Sequence, residues 1–139
     1  MRNRLRRIAV DTSALVAMSE REDAGRIDWA DLIASSDCLV GTPTWLEFGI
    51  VMRAKRNGRD PAPVIHELQN LPSISTVTFG YRHFEAALMA HRRFGKGTGH
   101  AAGLNFGDCL AYAIAKVEGV PLLFKGDDFA HTDVESALP

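Results

Sequence analysis

Three brief runs, Ile8-Ala9-Val10, Cys38-Leu39-Val40 and Pro121 to Phe124, are apolar at every alternating position and too short to be helices. A strand without a polar face is buried on both sides, so it belongs inside a parallel sheet covered by helices. Between the runs lie segments of helical spacing. Thr12 or Ser13 caps a helix through Ala14, Leu15, Val16 and Met18, and Ile27, Ala30 and Ile33 mark a second. Thr42-Pro43, as N-cap and first helical residue, opens a third that runs to about Lys55 and stops at Asn57-Gly58. Asp60-Pro61 begins another carrying Val64, Ile65 and Leu68, ended by Pro72; Ile74 to Thr78 alternates like a strand. Phe84, Ala87, Leu88 and His91 share one helical face. After a glycine-rich loop from Gly95 to Gly107, a helix from about Phe106 to Glu118 carries Leu110, Ala113, Ile114 and Val117 on its core stripe, and Gly119 closes it. Thr132 to Glu135 reads as a short last strand. The pattern predicts an α/β fold: a three-layer α/β/α sandwich around a central, mainly parallel sheet. Residues 1–139 form a single domain on this reading, with residues 1–7 a basic N-terminal extension. Ligands of such sheets bind at the carboxyl ends of the strands, where strand order reverses.

Composition bounds the function. With 46 % apolar residues the chain can bury a core, which excludes disorder. A net charge of -1 means that the molecule as a whole does not attract a polyanion. The positive charge is clustered, however: Arg2, Arg4, Arg6 and Arg7; Arg53, Lys55, Arg56 and Arg59; Arg92, Arg93 and Lys96. A basic rim around an acidic centre sums to near neutrality and still holds a phosphate backbone. Arg53, Arg92, Arg93, Lys96 and Lys125 are the candidate contacts to such a backbone, although any one of them alone is more simply a solvated face. Cys38 and Cys109 lie in apolar stretches without metal-type spacing, the usage of a reduced protein. Asp11, Thr12 and Ser13 interrupt the apolar opening, so no signal-peptide core remains, and no stretch reaches transmembrane length. A cytoplasmic protein without membrane partners is expected.

Several carboxylates are placed against the local grain. Asp11 ends the first strand; Glu47 has Ile50 and Val51 as its neighbours on the next helical turn; Asp108 opens the glycine-preceded helix; Asp127 and Asp128 follow the strand Leu122 to Phe124. Each has a local explanation. Asp11 fits a capping turn with Thr12 and Ser13, Asp108 a capping box with Asn105, and Asp127-Asp128 a solvated loop. Glu47 fits an ion pair with a distant arginine. As a set they gain weight, because a doubly wound sheet brings all these positions to one edge. Carboxylates so gathered cannot all stay ionised without a cation, and oxygen-only donors select Mg²⁺ or Mn²⁺ rather than zinc.

Asp11-Thr12-Ser13-Ala14-Leu15-Val16 resembles the opening motif of PIN domains. Glu47 after Pro43-Thr44-Trp45-Leu46 matches the second acidic position of that family, and Asn105-Phe106-Gly107-Asp108-Cys109 the third. Leu122 to Phe129 is similar to the fourth, with Asp128, before Phe129, preferred over Asp127. The wording of the later motifs is closest to VapC toxins of toxin–antitoxin pairs. That resemblance implies an Mg²⁺-dependent endoribonuclease acting on structured RNA such as tRNA, a homodimer, and inhibition by a VapB-type antitoxin. Asp11, Glu47, Asp108 and Asp128 would be the catalytic, metal-holding acids, with Thr12, Ser13, Asn105 and Asp127 behind them. The basic residues before Ile8 lengthen the usual start of the family.

Two alternatives are weighed. Another phosphoryl-transfer enzyme on a similar sheet, a haloacid-dehalogenase-like phosphatase, wants a second acid two residues after the first, where Ser13 stands; a receiver-like phosphoacceptor wants an acidic pair at the first strand, also missing. A non-catalytic RNA- or partner-binding module would be expected to have lost an acid, and all four are present. Trp29, Trp45, Tyr81 and Phe94 are read as core or interface residues before base-stacking ones, and His100 as the one histidine worth testing for RNA contact.

Overall fold

The computed structural model describes residues 5–139. Strand β1 (Arg6–Val10) leads into helices α1 (Thr12–Ser19) and α2 (Trp29–Ala34), then strand β2 (Ser36–Gly41) and helices α3 (Thr42–Lys55) and α4 (Ala62–Gln69). Strand β3 (Ile74–Val77), helices α5 (Tyr81–Phe94) and α6 (Phe106–Glu118), and strand β4 (Leu122–Leu123) complete the order. The strands pair in the order β3-β2-β1-β4, all parallel. The chain therefore builds outward from β1 to β3 and then crosses back to lay β4 on the other side of β1. The carboxyl ends of β1 and β4 flank that reversal.

Both faces of the sheet are covered, as the strand pattern required. Ile8, Val10, Cys38, Val40 and Leu123 face one layer with Leu15, Trp29, Ile33, Phe48 and Met52. Their neighbours Ala9, Leu39 and Leu122 face the other, against Phe94, Tyr112 and Ile114. Tyr112 is the largest fully buried side chain, and its hydroxyl donates to Asp133 at 2.6 Å. The closeness of the layers shows at Gly41, where a Cβ would lie 2.8 Å from Ile114 Cγ1. α6 thus presses directly on the end of β2.

Several boundaries differ from expectation for local reasons. β1 begins at Arg6, two residues before Ile8, because Arg7 pairs with Asp37 across the strands at 3.6 Å and Arg6 donates to the Ala137 carbonyl at 3.1 Å. Part of the expected extension is therefore strand, while residues 1–4 lie outside the described residues. Gly41, not Thr42, caps α3, and the Thr42 hydroxyl instead accepts from the Phe79 amide at 3.2 Å. The last strand is reduced to a single bridge between Leu122 and Ser136, since the segment touches only the edge of β4. Gly119 (φ 67) closes α6 in the left-handed conformation that a helix stop favours. Among the described residues no helix is long and apolar enough to cross a membrane.

Candidate active site

Asp11 leaves β1 with extended backbone and caps α1 itself, a role expected of Thr12 or Ser13. Its Oδ2 accepts from the Ser13 amide at 3.0 Å and the Ser13 hydroxyl at 2.6 Å. The side chain is 5 % exposed, and burial, opposed by the Ser13 bonds and reinforced by the Glu47 charge, pushes its pKa up to about 6.

Asp108 sits in the first turn of α6, where the expected capping box forms. Asn105 accepts from the Asp108 amide at 2.9 Å, and Asp108 Oδ2 accepts from the Asn105 amide at 3.1 Å. Burial again dominates, and the charges of Asp128, Asp11 and Glu47 add to it, so that its pKa rises to about 7. Asp127 and Asp128 both lie on the exposed turn that follows β4. Of the two, Asp128 is the one whose charge reaches Asp108.

Glu47 lies on the first half of α3, half-buried rather than on the core stripe. Its neighbour Ile50 is 62 % exposed, so the helix face between them turns outward and the carboxylate rests at the rim of the core. The Thr12 hydroxyl donates to Glu47 Oε1, tying α3 to the start of α1. On the other side Glu47 Oε2 fills the space above Gly107: a Cβ built there would lie 1.8 Å from it. Sequence reasoning passed over Gly107, yet a glycine in the first turn of a well-formed helix signals a close approach.

The geometry therefore brings Asp11, Glu47, Asp108 and Asp128 within electrostatic reach at the carboxyl edge of β1 and β4, with Thr12, Ser13 and Asn105 bonded to three of them. Among the described residues, no three carboxylate, imidazole or thiol groups close on a single point. Asp11 is turned onto Ser13, Asp108 onto the Asn105 amide and Glu47 onto Thr12. The donor set fits a hard divalent cation: buried carboxylate oxygens that oppose one another's ionisation, with no histidine or thiol among their partners.

The expected RNA contacts fall into two kinds. Arg53, Arg92 and Lys96 are exposed. Arg93 pairs with Asp133 at 3.5 Å, and Lys125 Nζ is held by Glu22 at 2.7 Å and Asp23 at 3.0 Å. Trp29, Trp45 and Phe94 are core residues, and Tyr81 is 74 % exposed. His100 packs edge-on against Phe94, with 5.1 Å between ring centroids. Unforeseen was an apolar groove of about 330 Å³ between α5 and the start of α6, lined by Phe79, Phe84, Ala87, Leu88 and Phe106. The helical face of Phe84 and Leu88 was legible, but these residues look outward and remain over 40 % exposed.

Both the sheet order and the acids at its reversal describe a PIN domain. The PIN family model matches residues 8–135, a span that holds all four acids, and the chain belongs to the PIN-domain family. Its relatives place it among the VapC ribonucleases of that family. VapC ribonuclease Mb0640 of Mycobacterium bovis is 42 % identical over 137 residues, covering 95 % of this chain and 100 % of the relative. Ribonuclease VapC28 of Mycobacterium tuberculosis is 41 % identical over 132 residues, covering 93 % and 96 %. Among solved structures, Mycobacterium tuberculosis VapC20, a sarcin-ricin loop cleaving toxin, superposes with a TM-score of 0.72 at 18 % identity, over 95 % of this chain and 99 % of that one. A toxin–antitoxin complex from Klebsiella pneumoniae gives 0.63 at 14 % identity, over 91 % and 92 %. These two likenesses carry the fold.

Proposed function

We propose that the chain is an Mg²⁺-dependent endoribonuclease toxin, using Mn²⁺ as a substitute, that hydrolyses phosphodiester bonds of structured RNA such as tRNA. The observation that supports this most is the buried pair Asp11 and Asp108, whose proton affinities are raised by burial and by the neighbouring acids. Such a pair is held mainly against the cost of burying charge and in part against the neighbouring acids, both of which a divalent ion would relieve.

Asp11 and Asp108 would hold the ion, and Glu47 and Asp128 would complete its surroundings directly or through water. When bound, the ion supplies charge neutralisation at the scissile phosphate and a water of lowered pKa. The chain's own groups set the geometry. Ser13 donates to Asp11 and fixes which oxygen faces inward; Thr12 does the same for Glu47; Asn105 anchors the turn that presents Asp108. Asp127 stands beside Asp128 as an outer acid. Because water rather than the ribose hydroxyl attacks, products carry a 5′-phosphate and a 3′-hydroxyl. The exposed Arg53, Arg92 and Lys96 supply the phosphate-backbone contacts.

The exposed apolar surface supports the proposed partners. Leu46 (67 %), Ile50 (62 %), Phe84 (47 %) and Phe106 (79 %) are large apolar side chains exposed on α3, α5 and α6. Exposure of this kind marks surfaces that a second copy and a VapB-type antitoxin would cover. This reading makes the protein a cytoplasmic homodimer.

The deciding experiment incubates purified protein with end-labelled tRNA and ribosomal RNA in Mg²⁺ or Mn²⁺, beside an EDTA control and the Asp108→Asn variant. Cleavage by the wild type alone, lost with chelator, is expected. RNA binding unchanged by chelator with no cleavage in either metal would leave a binding module in its place.

A further inference from the structure

Lys125 follows β4, immediately before the turn that presents Asp127 and Asp128, and Gly126 (φ 96) reverses the chain there. Its backbone and side chain reach in different directions. The amide donates to Ser13 Oγ at 2.9 Å, and that hydroxyl donates in turn to Asp11 Oδ2 at 2.6 Å. The ammonium reaches the α1–α2 loop, 2.7 Å from Glu22 Oε1 and 3.0 Å from Asp23 Oδ2. Asp23 Oδ2 also accepts from the indole N–H of Trp29 at 3.2 Å, and Trp29 is buried in the core. A chain of bonds thus runs from the core through Trp29, Asp23, Lys125 and Ser13 to Asp11.

The loop at the far end turns sharply. Arg21 (φ 52) and Asp23 (φ 58) both take the left-handed conformation, which is uncommon for non-glycine residues although aspartate adopts it more readily than most. An isolated exposed ion pair would contribute little. Here one ammonium meets two carboxylates, one of them already oriented by a buried indole, so the contact is pre-organised.

We propose that Lys125 is a positioning residue: its side chain ties the α1–α2 loop to the turn carrying Asp128 and thereby fixes Asp128 relative to Asp11. Its single positive charge also offsets half of the negative charge that Glu22 and Asp23 carry beside this turn. This use rests on the nuclease reading above and differs from direct contact with RNA, in which the ammonium would face the phosphates.

The test compares Lys125→Met, Lys125→Arg and the Glu22→Gln/Asp23→Asn double variant with wild type. In metal-free protein, amide exchange at Ser13, residues 20–26 and residues 125–128 should quicken about tenfold in Lys125→Met and in the double variant, with β1 and β2 unchanged. In cleavage assays both should lose kcat about tenfold with KM within about threefold, their combination should be no worse than either, and Lys125→Arg should retain most of the rate. Unaltered exchange in the α1–α2 loop would overturn the proposal. So would a Lys125→Met effect confined to KM, with a salt slope shallower by about one and tighter RNA binding in the double variant, since that is the behaviour of a phosphate contact. Because exchange is read without substrate or metal, it decides the role of Lys125 even if the wild type cleaves no RNA.

Discussion

Each acid of the cluster has both a local and a collective role, and at Asp108 the two separate experimentally. Its Oδ2 completes the cap of α6, while burial, with the surrounding carboxylates adding to it, raises its pKa to about 7. Asn at this position keeps an oxygen for the cap and removes the charge. Asp108→Asn should therefore abolish cleavage, by about 10²–10³-fold or more, while leaving the metal-free fold intact. Asp11 and Asp108 have folded pKa values near 6 and 7 against an ordinary 3.8. Folded protein then retains protons that unfolded protein has released. Their contribution to stability is complete below about pH 4 and is lost as pH rises through 6 and 7. Urea melts in EDTA should show wild type weakening from pH 5 to 8, and Asp108→Asn weakening less, with a difference on the order of 2 kcal/mol at pH 8. A variant as pH-sensitive as wild type would place the strain elsewhere.

At the scale of elements, the site depends on how closely α3 and α6 approach. Gly107 provides the gap that Glu47 occupies, and its backbone is otherwise ordinary for a helix. Gly107→Ala should be nearly neutral for folding, because alanine favours the helix by up to about 1 kcal/mol and the obstructing atoms are the free end of a flexible side chain. Glu47 must swing away, however, and displacement of a catalytic group by about 1 Å can cost roughly 10²-fold in rate. A melting temperature close to wild type together with a large loss of cleavage is the expected pair of results. Retained cleavage would show that Glu47 need not lie where α6 holds it. The glycine was readable in the sequence, but nothing in it named Glu47 as the group that required the space, since sixty residues separate them along the chain.

For the molecule as a whole, the acidic edge and the exposed apolar faces predict two associations. Mn²⁺ should raise the melting temperature, and more at pH 8 than at pH 6, because protons compete for Asp11 and Asp108 in the acidic range. Equal shifts at both pH values would argue against binding at these groups. If the Phe84 and Leu88 face is covered in a homodimer, Phe84→Asp/Leu88→Asp should elute as a monomer on size exclusion with its far-ultraviolet circular dichroism unchanged. The sequence by itself determined the layered α/β architecture, since Ile8, Val10, Cys38 and Val40 on one face and Ala9 and Leu39 on the other leave no side of the strands for water. It also singled out Asp11 and Asp108, buried acids beside apolar neighbours at helix starts. Only the tertiary structure set Glu47 above Gly107, brought the Asp128 charge to bear on Asp108, and turned Lys125 onto Glu22 and Asp23. Those outcomes depend on distances across the sheet reversal, and such distances are fixed by packing between layers, which local patterning does not encode.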